Sequence, residues 1–94
     1  MDGGNERVGI GTTNPLTRLD IRGTASASVF QVPRGSATLP SFTFSNDINL
    51  GIYSSESDTL NFTTDGISRF ALQSSGASSS VNFEISGNAS TSAF

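Results

Sequence analysis

The 94-residue sequence contains no cysteine, no histidine, no lysine and no tryptophan. Without cysteine no disulfide can stabilise a small fold, and without cysteine and histidine the common structural zinc sites are excluded. The same absences remove the usual nucleophiles and general bases, so the many serines have no base to activate them. A two-carboxylate glycosidase has no supporting motif. We therefore expect no enzymatic activity and no cofactor.

Charge of either sign is also scarce. Five arginines and eight carboxylates give a net charge of −3 and are spread along the chain. No basic patch is available to neutralise phosphates, so we expect no binding to nucleic acid. No apolar run approaches the roughly 18 residues of a membrane span, so we expect no membrane insertion.

Apolar residues make up only 34% of the chain, and eight aromatic residues supply most of the bulk. A monomer of this size buries a modest share of its surface, and this one has little apolar material for a core. Two solutions are a disordered chain and a core shared between subunits. The regular alternation described next argues against disorder, so we expect an obligate oligomer.

Apolar and polar residues alternate with a period of two across residues 42–72. This pattern predicts strands with one buried face and one wet face. The apolar pairs are separated by the turn-forming stretches 45–47, 54–58 and 64–66, which are rich in Ser, Asn, Asp and Gly. We therefore predict an all-β fold built on a short antiparallel meander of four strands.

The sequence divides into five segments. Residues 1–5 are predicted to be a leader, and residues 6–32 an N-terminal strand pair followed by a crossover. Residues 33–72 carry the central meander, and residues 73–80 (QSSGASSS) are predicted by composition to be a flexible serine-rich linker. Residues 81–94 are predicted to begin a second repeat, with a last strand at its start.

An internal repeat supports this division. Residues 19–30 align without gaps on residues 83–94 at an offset of 64, and six of the twelve pairs are identical. Serine and alanine raise that score, but the opening apolar–acid–Ile pattern and the closing Phe also coincide. A repeat of this kind predicts a longer linear array.

Several segments resemble a known family. Residues 7–15 (RVGIGTTNP) followed by residues 18–21 (RLDI) resemble a segment that recurs in bacteriophage tail-fibre and tail-spike shafts, and in repetitive bacterial surface proteins. Residues 50–54 (LGIYS), 58–62 (DTLNF) and 65–70 (DGISRF) resemble the companion block of those fibres. The two matches together cover roughly half of the chain.

The resemblance implies an intertwined parallel homotrimer and a structural role in a virion tail fibre. The chain would then be a shaft segment that positions a host-receptor-binding tip, which this sequence lacks. Its partners would be copies of itself and, through that tip, a host cell-surface glycan. Two alternatives stay open: a bacterial extracellular surface filament that polymerises by strand addition, and a small carbohydrate-binding module.

The alternation also selects candidate residues. The predicted oligomer core consists of nine apolar side chains: Val8, Ile10, Leu19, Ile21, Ile52, Leu60, Phe62, Phe70 and Leu72. Tyr53 is the candidate glycan contact, because its hydroxyl favours a wet edge. Three arginines (Arg18, Arg22 and Arg69) are candidates for pairing with carboxylates or carbonyls. The acidic turns show no calcium-loop spacing, so we expect solvated carboxylates and no metal there.

Overall fold

A computed structural model describes residues 6–88; the predicted leader and residues 89–94 of the second repeat copy lie outside that range. The described chain is all-β and contains no helix, which confirms the predicted class. It divides into two compact units, Met1–Gln31 and Val32–Phe94. The boundary falls within one residue of the predicted start of the central meander.

The first unit contains a two-stranded sheet. Strand β1 (Val8–Ile10) pairs with β2 (Leu19–Ile21), and the two run parallel. The Val8 amide donates to the Arg18 carbonyl at 2.7 Å, and the Arg22 amide donates to the Ile10 carbonyl at 2.8 Å. The sequence predicted the pair, but short strands joined by a short turn gave no sign that they run in the same direction.

The second unit contains a five-stranded antiparallel sheet whose strands follow one another in chain order. The strands are β3 (Phe42–Phe44), β4 (Asp47–Tyr53), β5 (Leu60–Thr64), β6 (Ile67–Gln73) and β7 (Gly76–Ser79). The first four confirm the predicted meander. Their connections coincide with the three turn stretches read from the sequence.

The β5–β6 turn illustrates why these residues make a hairpin. Thr64 pairs with Ile67, which leaves Asp65 and Gly66 as a two-residue loop. Both have φ in the left-handed region, 55° for Asp65 and 71° for Gly66. An Asp-Gly pair tolerates that geometry, and its twist suits the flanking strands.

The prediction of a flexible linker over residues 73–80 is wrong. Within it, β7 (Gly76–Ser79) extends the sheet by pairing Leu72 with Ala77 and Gln73 with Gly76. The ladder consists of backbone hydrogen bonds, which small residues form as readily as large ones when a partner strand is available. The strand predicted at the start of residues 81–94 is also wrong, because residues 81–88 belong to no strand.

Very little of the chain is buried. The buried residues of the described range are Pro15, Pro40, Tyr53, Asn61 and Thr63. Two of these are prolines and two are polar, so a single chain encloses scarcely any aliphatic side chain. This agrees with the shortage of apolar residues in the composition.

Candidate functional site

The two faces of the five-stranded sheet differ in chemistry. We define its polar face by two cross-strand pairs, Tyr53 with Asn61 and Gly51 with Thr63. This face carries the buried residues of the sheet, and the Thr63 side chain is only 1% exposed. Residues 33–41, which we name the cover segment, contact it.

The cover segment is attached to the polar face through backbone groups. The Thr63 hydroxyl donates to the carbonyl of Ala37 at 3.0 Å. The Ser54 amide donates to the carbonyl of Arg34 at 2.9 Å. A β-carbon added to Gly51 would lie 3.0 Å from Cγ of Pro40, so the segment approaches the sheet closely there. Glycine and hydroxyl side chains therefore admit the segment where larger residues would hold it away.

Asn61 completes the polar face. Its Oδ1 accepts a hydrogen bond from the Ser55 amide at 2.9 Å, and its Nδ2 donates to the Ser68 hydroxyl at 3.3 Å. Within residues 6–88, every buried side-chain nitrogen and oxygen has a hydrogen-bond partner. Burying these polar groups is tolerable because each is paired.

The opposite side of the sheet is apolar and only partly covered. We define this apolar face by two cross-strand rows: Phe42, Ile52, Phe62 and Phe70, and then Leu60 and Leu72. Phe42 is 50% exposed, both leucines are exposed, and the other three are half-buried. The Phe62 and Phe70 rings lie 5.9 Å apart, and Phe83 stacks on Phe70 at 5.7 Å.

The first unit has an apolar face of its own. The pairs Val8–Leu19 and Ile10–Ile21 share one side of the parallel sheet. We name these four residues the N-terminal apolar face; Ile10 and Leu19 are exposed, and the other two are half-buried. The opposite side carries Gly9, where an added β-carbon would lie 3.4 Å from Cδ of the buried Pro15. The turn after β1 thus packs on the glycine side.

The nine predicted core residues therefore fall into two groups. Four form the N-terminal apolar face, and five belong to the apolar face of the second unit. Within each group the residues are neighbours, as the alternation predicted. None of the nine is buried by its own chain. Whether a second copy buries them stays a prediction.

Tyr53 differs from its expected position. We predicted a wet edge, but its side chain is only 9% exposed. It lines a cavity of about 160 Å³ with Ser41, Ser54, Arg34 and five apolar residues: Val32, Pro33, Phe42, Ile52 and Leu60. A sugar could not stack on a ring buried in this way, so any glycan contact at Tyr53 would have to enter the cavity.

Three of the arginines form side-chain contacts within their own unit. Arg22 forms an ion pair with Asp20 at 3.0 Å, and the Leu16 amide donates to Asp20 Oδ2 at 3.0 Å. The Leu16 hydrogen bond, aided by Arg22, lowers the pKa of the Asp20 carboxyl. Arg69 Nε donates to the Thr64 hydroxyl at 3.0 Å, and Arg34 donates to the hydroxyls of two serines, Ser54 and Ser57.

The described residues contain neither a metal-binding cluster nor a membrane-spanning helix. The acidic side chains of residues 6–88 form no cluster of three that would hold a metal ion. No helix of the described chain is long and apolar enough to cross a membrane. The candidate surfaces are the two apolar faces, one in each unit.

Sequence reasoning missed the polar face. Asn61 and Thr63 alternate with the apolar residues, so we assigned them to the wet side of their strand. The available signal was Gly51: a glycine inside a strand indicates close approach by another backbone.

Comparison with known protein families, curated proteins and solved structures finds no match to this chain. The resemblance to tail-fibre shafts stays a prediction that rests on the segments quoted above.

Proposed function

We propose that this chain is a structural shaft segment of a trimeric phage tail fibre, which positions a host-receptor-binding tip at a distance from the particle. The observation that carries the proposal is the largely exposed apolar face, whose aromatic and aliphatic rows extend across β3 to β6. The role is mechanical: three chains bury these faces together and form a stiff rod.

The energetics favour an assembly over an isolated chain. Removing one large apolar side chain from water stabilises a structure by about 1.5–3 kcal/mol. In a single chain the predicted core residues remain exposed or half-buried, and the buried set is small and largely polar. Burying the apolar face against other copies recovers the missing stabilisation, since each copy offers the same surface.

The number three and the fibre context come from the resemblance. The segments at residues 7–15, 18–21, 50–54, 58–62 and 65–70 resemble segments of fibre shafts, which are usually parallel homotrimers. A three-fold axis would let three equivalent sheets face one another. Strands that are held in such an assembly leave few free edges, which limits aggregation and slows unfolding.

A pair of charge substitutions tests the proposal. Phe62→Asp places a carboxylate in the middle of the apolar face. In a trimer, three such carboxylates would be buried around one axis, where water could neither hydrate them nor screen their repulsion. The matched control is Ser78→Asp, which places the same charge at an exposed position on β7 of the same sheet. Sedimentation velocity measures the mass of each variant and of the unmodified chain.

At low protein concentration we expect the control to sediment as a trimer and Phe62→Asp to sediment as a monomer with its β-sheet circular dichroism preserved. A Phe62→Asp variant that assembles as well as the control would contradict the proposal. If the unmodified chain is monomeric, the carbohydrate-binding module becomes the better hypothesis.

A further inference from the structure

The parallel pair in the first unit is an incomplete sheet. It has only two strands of three residues each. Two-stranded sheets are marginally stable in water, and parallel strands are normally found with several neighbours. The N-terminal apolar face is also uncovered. A third strand would therefore stabilise this unit.

The open edge of β1 has a defined set of backbone groups. The amide of Val8 and the carbonyl of Ile10 point toward β2, because they bond to Arg18 and Arg22. Successive residues of a strand direct their backbone groups to opposite edges. The amide and carbonyl of Gly9 therefore point away from β2, toward an edge that no strand of residues 6–88 occupies.

A candidate third strand exists in the second unit. Residues 83–85 (FEI) are the repeat equivalents of β2 (LDI), which already pairs parallel with β1. In their own chain residues 83–85 belong to no strand, and Phe83 is 68% exposed. The segment thus has the residue pattern of a β1 partner and lacks a ladder of its own.

We propose that residues 83–85 of one copy add to the open edge of β1 in a second copy, parallel to it, with Glu84 opposite Gly9. The Gly9 amide then donates to the Phe83 carbonyl, and the Ile85 amide donates to the Gly9 carbonyl. Phe83 and Ile85 extend the N-terminal apolar face, and Glu84 lies on the polar side with Asp20.

This contact joins unlike surfaces of two copies, and such heterologous contacts form rings when the rotation closes and open arrays when it does not. The internal repeat at an offset of 64 residues favours an open, linear array. If the chain forms trimers, the contact links each trimer to the next along the shaft axis. The inference does not require the trimer, because a monomer with both surfaces would associate in the same way.

Proline substitutions test the register. Ile85→Pro removes the amide that bonds to Gly9, and it should abolish growth of molar mass with concentration. Glu84→Pro is the matched control, since the Glu84 amide points away from β1 and an edge strand tolerates proline there. Light scattering over a concentration series compares both variants with the unmodified chain.

We expect the mass of the unmodified chain and of Glu84→Pro to rise with concentration, and the mass of Ile85→Pro to stay constant. An unmodified chain of constant mass would overturn the inference and leave the trimer intact if that mass is threefold. If the molar mass equals one chain at low concentration and rises with concentration, the trimer is overturned and the inference stays intact.

Engineered cysteine pairs give a second readout. The chain has no cysteine of its own, so no native thiol can form a competing disulfide. In the proposed register Ile10 and Ile85 are direct neighbours on adjacent strands, at a spacing that a disulfide spans. Mixing an Ile10→Cys chain with an Ile85→Cys chain under mild oxidation should give a cross-linked heterodimer. Ser75→Cys replaces Ile85→Cys in the control, and equal yields from both mixtures would overturn the register.

Discussion

The two faces of the five-stranded sheet reverse the usual relation between polarity and burial. The polar face buries a threonine and an asparagine, and the threonine bonds to the cover segment, whereas the apolar face leaves a phenylalanine and two leucines exposed. Both faces belong to the same strands, and their residues alternate along the chain. The difference therefore comes from what covers each face.

The comparison separates two kinds of stabilisation. On the polar face, hydrogen bonds from Thr63 and Asn61 hold one chain in its own fold. On the apolar face the material for a hydrophobic core is present but unused by that chain. We infer that the polar face specifies the fold of the single chain and that the apolar face specifies its assembly.

The largest expected effect follows from adding bulk to the polar face. A β-carbon at Gly51 would overlap the carbonyl oxygen of Phe42, so Gly51→Val should lower the free energy of unfolding by about 3 kcal/mol or more. Gly87→Val is the control, because an added β-carbon there meets nothing within 4 Å. Urea unfolding followed by circular dichroism measures the stability of both variants. Equal stabilities would refute the close approach of the Phe42 carbonyl to Gly51.

An intermediate effect is expected from removing one hydrogen bond beneath the cover segment. Thr63→Val keeps the shape of the side chain but leaves the Ala37 carbonyl without its donor, which should cost about 1–3 kcal/mol. Assembly should persist, because the apolar face is unchanged. The same substitution at the exposed Thr24 serves as the control. A loss of assembly with no loss of stability would reverse the roles of the two faces.

The smallest effect is expected at the partial cover of the apolar face. Phe83 stacks on Phe70 yet stays largely exposed, so Phe83→Ala should lower the stability of the single chain by about 0.5–1.5 kcal/mol. This difference is best measured in the Phe62→Asp background at low protein concentration, where association through either contact contributes least. A much larger loss would mean that Phe83 already closes the apolar face within one chain.

The sequence predicted the meander well because each strand carries its own alternation and each turn its own chemistry. Asp65 and Gly66 specify a two-residue hairpin without help from distant residues. The grouping of the candidate core residues followed from the same period of two. Such local signals are readable from one sequence.

Features that depend on a distant partner were not readable. Strand β7 forms because the edge of β6 is available, and no side chain within Gly76–Ser79 announces that partner. The burial of Tyr53 and Thr63 depends on where the cover segment lies. The alternation correctly separated two sets of residues, but it could not reveal which set a single chain would cover.

The account is tested most directly by the molar mass of the unmodified chain at the low end of a light-scattering concentration series. The account predicts a smallest species with three times the 9.7 kDa mass of one chain, because the apolar face requires other copies to cover it. A mass of one chain that persists over the whole series would contradict it. The exposed rows would then be stable in water without a partner.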